Sequence, residues 1–242
     1  MAPLKGQIAV ITGASSGIGK ALALGLAAEG VTVCLVGRRL ETLEVVAERA
    51  RRTAPRVLSY QVDLTKDGEI RNLATALGHD FERLDMLIHS AGVISPGRID
   101  AAPVQDLDWQ YRTNVRAPYV LTQALLPLLR ARQGQIVFIN SSIALNSKAN
   151  IGQYAASKHA LKAIADSLRE EINPEGLRVM SVFPGRTATP QQESLYKIEG
   201  RTYQPELLLQ PEDVAAVVIN ALTLPRTAEV TDISIRPLTK SY

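Results

Sequence analysis

The chain has 242 residues, 46% of them hydrophobic and 5% aromatic, which suits one α/β domain, here taken as 1–242, with a large aliphatic core. A net charge of +3 with dispersed basic residues argues against a nucleic-acid partner, and the densest group, Arg49, Arg51, Arg52 and Arg56, reads as a solvated helix end. The single cysteine, Cys34, excludes an intrachain disulfide, the three histidines lack metal-ligand spacing, no apolar run is long enough to span a membrane, and residues 1–6 are too weakly apolar for a signal peptide, so the expected location is cytoplasmic.

Residues 7–12 are a short apolar run leading into Gly13-Ala14-Ser15-Ser16-Gly17-Ile18-Gly19. From 18 to 29, Ala21, Leu22 and Leu26 have helical spacing, and Gly30 ends the helix. Residues 31–36 read as a buried strand in which Cys34 is a packed thiol. Gly37-Arg38-Arg39 follow, then a charged helix over 40–52, a third strand over 56–62 closed by Asp63, and a helix over 66–81. The fourth strand, 84–89, ends in Ser90-Ala91-Gly92. A long helical stretch covers 106–132, which Pro118 and Pro127 should kink or divide. A fifth strand over 135–140, a serine-rich loop, a helix from Tyr154 to 171 and a sixth strand over 177–183 come next. Residues 184–210 read as long, polar and irregular. Pro211 opens a helix, and 229–235 is a final strand. Strands alternate with helices throughout, so the expected fold is a single Rossmann-type, doubly wound α/β domain. Its seven-stranded sheet should be mostly parallel, run in the order 3-2-1-4-5-6 and carry helices on both faces.

The glycine-rich turn sits between a strand and a helix, where backbone N–H groups can approach the pyrophosphate of a dinucleotide at a helix N-terminus. After the second strand an NAD site would carry an acid for the ribose. Here Arg38 and Arg39 stand instead, able to bind a 2′-phosphate, so NADP(H) is expected over NAD(H). Asp63 is either an acceptor for the adenine amino group or a helix cap. Strand four should neighbour strand one, so Ala91 and Gly92 leave room for the ribose and nicotinamide, and His89 is expected to pack there rather than act as a base. In Tyr154-x-x-x-Lys158 two side chains share one helix face, one turn apart. At about 4 Å and an effective dielectric near 20, their attraction is on the order of 4 kcal/mol, enough to lower a phenol pKa by roughly two to three units with burial opposing it.

Thr12-Gly13-x-x-x-Gly17-x-Gly19, Asn114, Ser141-Ser142 and Tyr154-x-x-x-Lys158 occur together, and with them the chain resembles the short-chain dehydrogenase/reductase family over nearly its whole length. The resemblance implies a tetrad: Tyr154 as general acid/base, Lys158 lowering its pKa and holding the nicotinamide ribose, a serine bonding the substrate oxygen, and Asn114 anchoring a relay water. It also implies a cofactor turn at Pro184-Gly185, with Thr187 and Thr189 on the carboxamide. The family's spacing of serine to tyrosine is near 13, which would select Ser141; the local context Asn140-Ser-Ser-Ile-Ala selects Ser142, and Ser142 is the expectation. His89-Ser90-Ala91-Gly92 stands where the family usually has Asn-Asn-Ala-Gly. The function implied is NADP(H)-dependent interconversion of a carbonyl and a secondary alcohol. The alternatives are a non-catalytic NADP(H)-binding regulator and an epimerase or dehydratase. The substrate is a small molecule whose identity is set by the loop at 186–210 and by 95–102. Relatives pair the helices at 106–132 and 154–171, implying a homodimer or homotetramer.

Overall fold

The computed structural model describes residues 4–239, so part of the N-terminal stretch read above lies outside the described residues. Seven parallel strands form one sheet in the order β3-β2-β1-β4-β5-β6-β7. They are β1 Ile8–Thr12, β2 Thr32–Gly37, β3 Val57–Gln61, β4 Met86–His89, β5 Gln135–Ile139, β6 Arg178–Pro184 and β7 Asp232–Ile235. The helices α1 Gly17–Ala28, α2 Leu40–Ala50, α3 Asp67–Asp80, α4 Val104–Tyr111, α5 Ala117–Arg130, α6 Gly152–Ile172, α7 Pro190–Ile198 and α8 Pro211–Leu222 complete it.

The period-two alternation of each strand divides its side chains between two cores. Met86 and Ile88 of β4 pack with Leu22 and Leu26 of α1, Leu43 of α2 and Val214 and Val218 of α8. Leu87 of the same strand packs with Leu73 and Leu77 of α3, Leu121 and Leu125 of α5 and Leu161 of α6. The doubly wound, all-parallel sheet is therefore present, and the order 3-2-1-4-5-6 is extended by β7. Cys34 is buried in β2, and burial pushes its thiol up to about 12. No helix among the described residues is long and apolar enough to cross a membrane.

Two segments differ in detail from the sequence reading. The long stretch before β5 is divided into α4 and α5 by a π-helical turn at Arg112–Arg116. Pro118 lacks the N–H that would bond the carbonyl of Asn114 four residues earlier, and the wider turn falls there. Pro127 is tolerated inside α5. The region after β6 is not irregular throughout, because α7 lies within it. Thr189 caps that helix by accepting from the N–H of Gln192 at 3.1 Å, and Pro190 occupies the first turn.

Candidate active site

Because all strands are parallel, their C-terminal ends meet at one edge, where β1 and β4 lie side by side. A cavity of about 680 Å³ opens there. Gly13 turns the chain out of β1 with φ +65°, and a Cβ on it would sit 2.8 Å from the Cα of Ala91. A Cβ on Gly19 would overlap the carbonyl oxygen of Gly13, so the first turn of α1 packs on the loop it follows. The Thr12 hydroxyl accepts from the N–H groups of Ser90 and Ala91, both at 3.1 Å. That bracing of the β4 turn was not foreseen, although Thr12 stands next to the glycine turn.

The residues fit a dinucleotide. Ser16 sits at the N-cap of α1 without making a side-chain cap bond, and the first turn carries no acid, so the N–H groups of that helix start remain available to an anion. Ser15, Ser16, Gly17 and Ile18 line the cavity; Gly19 lies behind them. Arg38 and Arg39, both exposed, line its far end, and neither guanidinium makes an ion pair among the described residues. Asp63 lines it too. Its carboxylate accepts from the Thr65 N–H at 3.0 Å and hydroxyl at 2.8 Å. Burial would raise this carboxyl, but the Thr65 bonds, Lys66 and Arg38 outweigh burial and hold it below its ordinary value. Asp63 does not cap α3, whose N-cap position is Lys66. Ala91, Gly92, Pro184, Gly185, Thr187 and Thr189 also line the cavity.

Tyr154 and Lys158, in the first two turns of α6, reach the cavity between the ends of β4 and β5. The Lys158 ammonium lies 5.8 Å from the centre of the Tyr154 ring and donates to the carbonyl of Ile139 at 3.1 Å. The side chain of Asn140 bonds the backbone carbonyl of Lys158 at 3.1 Å, so the end of β5 holds this lysine at both ends. Burial lowers Lys158 to about 8. Burial also raises the Tyr154 phenol to about 12, against a downward pull from its hydrogen bond with Ser141. The expected lowering of the phenol by Lys158 is not seen here: burial raises the phenol, and the opposing pull comes from Ser141.

Ser141 and the expected Ser142 both line the cavity. The hydroxyl bonded to the Tyr154 phenol belongs to Ser141, not Ser142. Ser141 continues the extended path of β5, with φ −164° and ψ 150°, whereas the exposed Ser142 begins a 3-10 turn over Ser142–Ala144. Ser141 is the serine 13 residues before Tyr154.

Asn114 lies in the π-helical turn, buried behind the cavity wall. Its Oδ1 accepts from Val93 N–H at 2.8 Å, and its Nδ2 donates to the Val93 carbonyl at 2.9 Å and to Ser157 Oγ at 3.0 Å. Ser157 in turn donates to the carbonyl of Tyr154 at 2.7 Å, so Asn114 ties the loop after β4 to the Tyr154 turn. His89 points away from the cavity, stacks on Phe138 at 4.9 Å and pairs with the Thr122 hydroxyl at 2.8 Å. Burial lowers it to about 3, so it is neutral and packed, as expected.

A family model described as short chain dehydrogenase matches residues 7–199. An oxidoreductase of Staphylococcus epidermidis is 32% identical over 239 residues, covering 98% of this chain and 100% of its own. A metagenomic short-chain oxidoreductase solved in complex with NADP superimposes with TM-score 0.85 at 30% identity, covering 98% of this chain and 100% of that one. An oxidoreductase from Escherichia coli gives TM-score 0.89 at 30% identity over 97% of both chains.

Proposed function

Because the chain belongs to the short chain dehydrogenase family, we propose that it is an NADP(H)-dependent oxidoreductase that interconverts a carbonyl and a secondary alcohol, with Tyr154 as general acid/base. The observation that carries this reading is the meeting of Ser141, Tyr154 and Lys158 on the cavity that the glycine-rich turn also lines. When bound, the nicotinamide supplies the hydride.

Gly13, Ser15, Ser16, Gly17 and Ile18, backed by Gly19, would hold the pyrophosphate of the cofactor at the start of α1. Arg38 and Arg39 would take the 2′-phosphate, and the lack of a close carboxylate contact to either guanidinium among the described residues supports NADP(H) over NAD(H). Pro184, Gly185, Thr187, Thr189, Ala91 and Gly92, all on the cavity, would hold the nicotinamide half of the cofactor. Ser141 and Tyr154 both donate to the substrate oxygen, where negative charge grows during reduction. With its phenol near 12, Tyr154 keeps its proton at neutral pH, the form that reduction requires. As the proton leaves, the Lys158 ammonium stabilises the phenolate through the apolar interior. Asn114 positions the Tyr154 turn through Ser157.

The test is a panel of ketones and aldehydes followed by NADPH absorbance, with NADH as control. Consumption of NADPH that depends on a carbonyl is expected. A chain that binds NADPH but reduces no member of a broad panel contradicts the reading.

A further inference from the structure

Helix α7 and its C-cap Glu199 place Gln192, Leu195, Tyr196 and Glu199 on one face, and Gln192, Leu195 and Glu199 line the cavity together with Arg186. Arg186 is fixed between two groups. Its Nη2 donates to both carboxylate oxygens of Glu199, at 3.0 and 2.9 Å, and its guanidinium stacks on the Tyr196 ring at 4.7 Å. Arg201 stacks on the same ring at 5.2 Å and approaches Glu199 at 3.6 Å.

Among the described residues two buried donor atoms on this wall, Arg186 Nη1 and Gln192 Nε2, have no hydrogen-bond partner. A third unpaired atom on a cavity residue, Asn140 Oδ1, belongs to the strand end that holds Lys158. A buried donor left unpaired is costly, so two on one wall call for acceptors from outside the chain. Their charge context limits which acceptors fit. Glu199 meets Arg186 through both oxygens and is shared with Arg201 at 3.6 Å, and an anionic group placed beside Arg186 would also meet that carboxylate.

We propose that Arg186 and Gln192 form a subsite for a second, neutral oxygen on the substrate. The substrate class is a ketone, or the matching alcohol, that carries an ester, amide or ether oxygen away from the reacting carbon. This rests on the reading of the cavity as a carbonyl-reducing site.

The test compares kcat/KM for ethyl 4-oxopentanoate, the 4-oxopentanoate anion and 2-heptanone, and for the series lengthened by one and two methylenes. Wild-type protein is expected to favour the ester over the hydrocarbon ketone by on the order of 10–100-fold, the range for hydrogen bonds to charged or buried donors. The carboxylate should rank below the ester. In Gln192→Leu the ester-to-hydrocarbon ratio falls towards one. Arg186→Lys, which keeps the cation for Glu199 but loses Nη1, lowers it as well. An unchanged ratio in both variants, or preference for the carboxylate, overturns the proposal. So does a raised KM for NADPH with the ratio intact, because the donors then serve the phosphates of the cofactor. Turnover of ester and hydrocarbon at equal rates overturns this proposal alone, whereas no reduction of any ketone overturns the underlying reading too.

Discussion

Ser141 and Ser142 differ by one position, yet only Ser141 bonds the phenol, because its backbone still follows the strand while Ser142 has entered a turn. Ser141→Ala is expected to lower kcat by about 10²–10³-fold, as loss of one donor to a developing oxyanion does. Ser142→Ala is expected to stay near wild type, and the reverse order in a turnover assay would contradict the assignment. The titrations also belong to this scale. Lys158 is held at about 8, so its ammonium is present below that pH and lost above it. Tyr154, at about 12, does not limit reduction. The rate of carbonyl reduction should therefore be level up to about pH 8 and fall above it. The residual activity of Lys158→Arg should lack that fall, and a break persisting in that variant would assign it elsewhere. The sequence made the Tyr154–Lys158 pair legible through its one-turn spacing. It did not disclose the direction of the tyrosine shift, because that depends on how completely β5 and the loop after β4 enclose the pair.

At the scale of elements, the strands and most helices were legible from apolar periodicity, since each buries a face against one of two cores. Helix α7 was not, because its inward face mixes Gln192 and Glu199 with Leu195 and Tyr196 and gives no apolar stripe. Its signal was Thr189-Pro190, a cap followed by a first-turn proline. The π-helical turn that carries Asn114 was only half legible: Pro118 announced a break, but not its geometry. The turn joining β1 to α1 depends on an absent side chain. A Cβ at Gly19 would overlap the Gly13 carbonyl, which is backbone and has little room to move. Gly19→Ala should weaken NADPH binding at least tenfold and destabilise the fold by about 1–3 kcal/mol, the usual cost of overpacking. Fluorescence titration with NADPH and a urea melt check both, and an unaltered dissociation constant would contradict the role given to this turn.

Across the whole molecule, the parallel sheet collects every strand end at one edge. Arg38 and Arg39 stand at the end of β2, remote in sequence from Tyr154 but on the same cavity. Replacing both by glutamate should lower kcat/KM with NADPH by about 10–100-fold while leaving NADH little affected, since charge-assisted bonds to a phosphate are lost. Equal losses with both cofactors would show that the pair serves the fold instead. The central claim, that the phenol of residue 154 transfers the proton, is met most directly by Tyr154→Phe, assayed for NADPH binding and carbonyl reduction on one preparation. Binding should be retained while turnover falls by about 10²–10⁴-fold, the range for loss of a general acid; full turnover with the phenol removed would contradict the account.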